Sequence, residues 1–120
     1  MEKPHKHLIA WQKSMDLVVL TYEITKGFPR EETYGLTSQM RRAAISAPSN
    51  IAEGAAGRST DQFRNFLSIA IGSLNELNTQ FEIALRIGYL KQDDYSLAQK
   101  LLDECLAVTF GLKKSLSKGI

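Results

Sequence analysis

Few residues in this chain have both the type and the spacing that chemistry needs. His5 and His7 stand two apart near the start. They could touch a metal ion, but no Cys, Asp or further His follows at ligand spacing, so an exposed tail is expected there. Cys105 is the single cysteine. It shares a helical face with Ala98, Leu101, Leu102, Thr109, Leu112 and Leu116, where a thiol behaves as a small hydrophobe. The folded part offers no histidine base to make it a nucleophile. Gly54-Ala55-Ala56-Gly57-Arg58 lacks the Lys-Ser/Thr and the preceding strand of a phosphate loop. No Glu-x-x-His pair supplies the ligands of a di-iron bundle. The chain is therefore expected to be no enzyme and to have no catalytic residues, no cofactor and no metal.

Polar residues at helical spacing are more informative. Gln39, Arg42, Ser46, Asn50 and Glu53 form a stripe between two apolar faces of one segment, and Ser73, Glu76 and Gln80 answer it on another. An arginine held between apolar surfaces needs a carboxylate, which Glu53 or Glu76 can supply. Arg42, Asn50, Glu53 and Glu76 are thus expected to form a buried or interface-lining network that fixes register or subunit pairing. A ligand site is the second reading of the same residues.

Fifteen Lys and Arg against 13 Asp and Glu leave a net charge of +2, a weaker basic bias than a dedicated nucleic-acid binder carries. Candidate phosphate contacts are Lys3, Lys6, Lys13, Arg58, Arg64, Lys113, Lys114 and Lys118, each of which also reads as a solvated surface charge. No basic stretch is interleaved with base-stacking aromatics. Binding through these residues would depend little on nucleotide sequence.

The elements that must position these residues are marked by punctuation. Gly27-Phe28-Pro29 ends one segment, because proline restricts the residue before it and cannot continue a helical ladder. Gly54 through Ser59 ends a second and Gly88-Tyr89-Leu90 a third. Ser59-x-x-Gln62 has capping-box spacing, and Asp93-Asp94 places acidic groups at a helix start. Helices are expected over about 10–27, 35–57, 60–88 and 93–117. Short connections force neighbours to run antiparallel, so the predicted fold is all-α: one domain over 1–120, an up-down-up-down four-helix bundle. Pro48 falls inside the second helix and frees the Ala44 carbonyl, so a kink is expected.

The core faces read as Trp11, Met15, Val18 and Tyr22 on the first helix and Leu36, Met40, Ala43, Ala47, Ile51 and Gly54 on the second. Phe63, Leu67, Ala70, Leu74, Leu77, Phe81 and Leu85 mark the third, and the face around Cys105 the fourth. Second apolar stripes remain: Leu17, Leu20 and Ile24, then Ile45, Ala52 and Ala56, then Ile69, Ile83 and Ile87. Because they recur at helical spacing they would form patches, which points to self-association.

Composition agrees with a globular domain: 43% hydrophobic and 23% charged residues over 120 positions. The lone cysteine suits a reducing compartment. Leu8-Ile9-Ala10-Trp11 is too short for the apolar core of a secretion signal. The run from Phe66 to Leu74 falls short of a membrane span. A cytoplasmic location with no membrane partner is expected.

The stretch from Tyr34-Gly35-Leu36 through Arg41-Arg42-Ala43 to Asn50-Ile51-Ala52-Glu53-Gly54 resembles the bacterial four-helix-bundle proteins encoded by 23S rRNA intervening sequences. The resemblance continues through Phe66-Leu67-Ser68-Ile69-Ala70-Ile71-Gly72-Ser73-Leu74-Asn75-Glu76-Leu77 and Gly88-Tyr89-Leu90. Trp11-Gln12-Lys13 and Phe28-Pro29 fit the same pattern. It implies a ring-like homopentamer, in agreement with the second apolar stripes. Because the family's reading frames lie inside 23S rRNA genes, it also implies RNA binding. Five +2 chains would carry about +10, concentrating a modest bias. A related basic pentameric bundle, the accessory protein of diversity-generating retroelements, binds a reverse transcriptase and nucleic acid. This adds the expectation of a scaffold docking a partner enzyme. Neither role brings catalytic residues.

Overall fold

Helix-forming periodicity and good end signals organise the chain into four long helices: α1 (Ile9–Thr25), α2 (Leu36–Ala55), α3 (Thr60–Arg86) and α4 (Gln92–Ser117). Short 3-10 turns cover Pro4–His7 and Arg30–Glu32. The computed structural model describes residues 3–57 and 59–117, and no strand occurs among them.

The ends follow local chemistry. Ser59 and Gln62 close the capping box of α3: the Gln62 amide N–H donates to Ser59 Oγ and the Ser59 amide N–H to Gln62 Oε1, each at 3.2 Å. At the other end of α3, Gly88 has φ +86°. The Tyr89 amide donates to the Ala84 carbonyl (2.9 Å) and the Gly88 amide to Leu85 (3.2 Å), the paired bonds of a Schellman stop. Helix α2 has no side-chain cap at Gly35. Instead Glu32 Oε1 accepts the Leu36 amide N–H at 3.1 Å. Asp93 and Asp94 occupy the first turn of α4, where carboxylates complement the helix dipole.

Neighbouring helices run antiparallel in a bundle 47 Å long and 25 × 20 Å across. The start of α1, the end of α2, the start of α3 and the end of α4 meet in one apolar cluster. Ala10, Ile51, Leu67 and Ala70 form its centre, with Leu8, Trp11, Phe63, Val108, Leu112 and Leu116 packed around them. The larger cluster fills the rest of the bundle around Leu17, Met40, Leu74, Leu77, Phe81 and Leu102. Helices α2 and α3 approach closely at Gly54, where an added Cβ would lie 2.8 Å from Phe63 Cδ1 and 2.9 Å from Phe66 Cβ. Pro48 is buried within α2. Among the described residues no helix is long and apolar enough to cross a membrane.

Helix α1 departs from the expected core face. It buries Ala10, Ser14, Leu17, Thr21 and Thr25, rather than Trp11, Met15, Val18 and Tyr22. The threonines can face the core because their hydroxyls are satisfied internally: Thr21 Oγ1 donates to the Leu17 carbonyl and Thr25 Oγ1 to the Thr21 carbonyl, both at 2.7 Å. Small side chains let the backbone approach, and apolar residues on both flanks left the rotation of α1 open to packing. Leu17, expected on an outer stripe, is 1% exposed. Leu20 and Ile24 are half-buried against the core. Ile45, Ile69, Ile83 and Ile87 do remain exposed.

Candidate nucleic-acid interface

The antiparallel order brings the starts of α1 and α3 to the same end as the finishes of α2 and α4. Cations far apart in sequence therefore meet there. Lys3 and Lys6 are exposed on the first 3-10 turn. Arg64 lies in the second turn of α3, half-buried, with Nε enclosed and lacking a hydrogen-bond partner. Lys113 and Lys114 lie in the last turns of α4, half-buried and exposed respectively. Lys13 is neutralised by Glu104 across the α1–α4 contact at 3.4 Å. Arg58 and Lys118 lie outside the described residues. Among the described residues the carboxylates sharing this end are Asp16, Glu53, Asp61 and Glu104, fewer than the six cations Lys3, Lys6, Lys13, Arg64, Lys113 and Lys114.

The opposite end mixes acid with base, its carboxylates standing among Lys26, Arg30, Arg86 and Lys91. Glu31 and Glu32 lie on the α1–α2 connection, Glu82 near the end of α3, and Asp93 and Asp94 at the start of α4. Glu82 is held below the usual carboxylate range by hydrogen bonds from Arg86 and Tyr95; its oxygens accept from Arg86 Nε at 2.9 Å and from the Tyr95 hydroxyl at 3.0 Å. Burial and the Glu82 contact push the Tyr95 hydroxyl up in turn.

The four polar residues expected in one network are spread out. Asn50 Nδ2 donates to the Ser46 carbonyl (2.8 Å) and to Ser46 Oγ (3.0 Å). Ser46 Oγ also meets Ser73 Oγ at 2.7 Å across the α2–α3 contact. Arg42, Glu53 and Glu76 are exposed. Arg42 and Glu53 lie three turns apart on α2, roughly 16 Å along its axis. Two small serines and Asn50 occupy the close α2–α3 contact, which leaves Arg42 on its outer flank, where water solvates the guanidinium.

Arg42 and Glu76 do share a surface hollow. It encloses about 440 Å³ between α2 and α3, lined by Tyr34, Ser38, Gln39, Arg42, Glu76 and Gln80. Gln80 is 6% exposed, and its buried Oε1 has no hydrogen-bond partner. Tyr34 at the rim is 97% exposed. A second hollow of about 300 Å³ adjoins it, sharing Tyr34, Ser38 and Arg42 and adding Tyr22, Thr33, Thr37, Arg41 and Ile45. Arg41 is anchored there: its Nε donates to Thr25 Oγ1 at 2.9 Å, and its guanidinium lies 4.3 Å above the Tyr22 ring. Sequence reasoning missed Tyr34 and Arg41. Their only signal was an aromatic in the connection before α2 and a second arginine beside Arg42.

Trp11, Met15 and Val18 line an apolar groove of about 300 Å³ with Ile45, Pro48, Ser49 and Ala52. This groove is where the expected α1 core face and the second α2 stripe meet, and it is open to solvent. His5 is not part of a free tail: its ring packs 4.9 Å from that of Trp11, and the Lys6 carbonyl accepts from Gln12 Nε2 at 2.8 Å. Among the described residues, no three His, Cys, Asp or Glu side chains converge as a metal site would require. Burial pushes the Cys105 thiol up to about 11, with the Ser14 hydroxyl and Lys13 offsetting part of the effect. At neutral pH it is a protonated core residue.

The fold matches a solved structure, that of a protein of unknown function from the S23 ribosomal protein family of Bacteroides thetaiotaomicron. The TM-score is 0.80 at 21% identity, over 88% of this chain and 96% of the other. No curated protein sequence matches the chain. A family model described as 23S rRNA-intervening sequence protein matches residues 6–111. With nearly the whole bundle inside that match, the chain belongs to the 23S rRNA-intervening sequence protein family.

Proposed function

We propose that this protein is a non-catalytic, oligomeric RNA-binding bundle that contacts the phosphate backbone through its basic end. The observation that carries the reading is the gathering of Lys3, Lys6, Arg64, Lys113 and Lys114 at one end by the antiparallel fold. A net charge of only +2 becomes a local field where cations outnumber carboxylates at one end. The family description, which refers to 23S rRNA, supports RNA as the nucleic acid. Self-association, with a pentamer favoured, is supported by the open Trp11–Ile45 groove and by exposed Ile69, Ile83 and Ile87. It would multiply the basic ends in one particle in a cytoplasmic setting.

Binding of rRNA fragments across a salt series tests the reading, alongside light scattering on the eluting particle. The expected result is a mass several times 13.4 kDa and binding at about 50 mM salt that falls steeply as salt rises. A monomer with no shift of any fragment would overturn it. A second reading, a scaffold that docks a partner enzyme such as a reverse transcriptase, is favoured by exposed Leu97 and Phe110 on α4. It predicts recovery of one protein at moderate salt without RNA.

A further inference from the structure

We propose that the paired hollows around Tyr34 form a binding site for one guanosine 5′-phosphate unit, the base entering the α2–α3 hollow and the phosphate the adjoining one. The proposal deepens the RNA reading and rests on it for the origin of the nucleotide.

The α3 wall of the larger hollow carries the Glu76 carboxylate and the Gln80 side-chain amide. Gln80 Oε1 is buried without a partner, and such a group costs free energy unless a donor reaches it. Glu76 lines the same hollow one turn away on α3, and its carboxylate can accept from two adjacent N–H donors at once. The α2 wall presents donors: Arg42 and Gln39 also line the hollow, and no hydrogen bond or ion pair joins Arg42 to Glu76. A fitting ligand carries adjacent N–H donors on one edge and acceptors on another. Guanine does, with N1–H and N2–H₂ beside O6 and N7, and arginine is the usual partner of O6 and N7. Adenine, cytosine and uracil each offer only one donor group on their pairing edge.

Tyr34 supplies the third element. Its ring, 97% exposed, borders both hollows, as a stacking platform for an unstacked base must. In the smaller hollow Arg41 and Ser38 line the wall, and a guanidinium binds phosphate oxygens in bidentate fashion. Arg41 is pre-positioned by Thr25 and Tyr22. Volumes of about 300 and 440 Å³ fall within the range of small-molecule sites.

The test titrates the full chain with GMP, AMP, CMP and UMP, following the Gln80 side-chain amide and the Tyr34 ring by NMR. GMP is expected to shift both signals and to bind about tenfold tighter than AMP, as one good base contact allows. Tyr34→Ala and Gln80→Leu should each weaken GMP about tenfold; Tyr34 is exposed, so its variant keeps the test valid if Gln80→Leu fails to fold. Pentanucleotides UUGUU and UUAUU identify the source. A preference for UUGUU assigns the site to an RNA strand, and GMP binding without that preference assigns it to the free nucleotide; either supports the site. Equal response to all four nucleotides, or no change at Gln80, overturns it. If rRNA fragments still bind in that case, the backbone reading survives alone. If GMP binds while no fragment does, the site stands and the backbone reading falls.

Discussion

The Tyr89 hydroxyl donates a 2.9 Å hydrogen bond to Glu32 Oε2, joining the α3–α4 turn to the α1–α2 connection. The other oxygen of the same carboxylate caps α2 at Leu36, and the Tyr89 ring lies 5.5 Å from Phe28. One side chain thus holds two connections and a helix start together.

The Glu32 bond raises the Tyr89 hydroxyl above the ordinary tyrosine value. A raised acid of this kind stabilises the fold fully below the unfolded pKa, and the contribution is lost as pH rises through the folded one. Thermal stability should therefore fall above about pH 10, and Tyr89→Phe should remove part of that alkaline loss. Glu32→Ala should lower stability at pH 7 as well, by about 1 kcal/mol for the lost cap. An unchanged alkaline profile in Tyr89→Phe would show that the bond does not persist in solution.

Gly54 and Gly72 should respond oppositely to alanine. Both lie inside helices, where alanine gains up to about 1 kcal/mol in propensity. At Gly72 nothing lies within 4 Å of the added Cβ, so Gly72→Ala should raise the urea midpoint. At Gly54 the Cβ would meet Phe63 and Phe66 below 3 Å, and overpacking costs about 1–3 kcal/mol. Gly54→Ala should lower the midpoint; a rise would mean that the two phenylalanines relax freely.

Arg42→Ala should unfold within about 0.5 kcal/mol of the unsubstituted protein, as an exposed substitution does. A buried ion network would instead cost about 3–5 kcal/mol on losing one partner. Denaturant melts separate the two, and a large loss would return Arg42 to a buried setting formed between subunits.

Replacing Lys3, Lys6 and Lys114 together by Gln should flatten the slope of log affinity against log salt for rRNA fragments. Each lost phosphate contact lowers the slope by about 0.9 on duplex and about 0.7 on single strands. Lys13→Gln is the control: its charge is already engaged by Glu104, so its slope should change little. Equal effects from both variants would disperse the interface over the whole surface.

Local interactions are legible in a linear sequence because their partners are a few residues apart. The Ser59–Gln62 capping box, the stop at Gly88 and the helical repeats of α2, α3 and α4 all depend on spacings of three to four residues, and they suffice for the four-helix fold. Helix α1 is different. With apolar side chains around most of its circumference, its rotation is decided by how closely Ser14, Leu17 and Thr21 approach the other helices. Arg42 and Asn50 could not be separated by pattern either, since the Ser46–Ser73 contact determines which part of the polar stripe is enclosed. The basic end combines residues from α3, α4 and the first 3-10 turn, and the Tyr34 hollows join the α1–α2 connection to the C-terminal half of α3. Their partners lie tens of residues apart in the chain, so only the packed bundle brings them within reach.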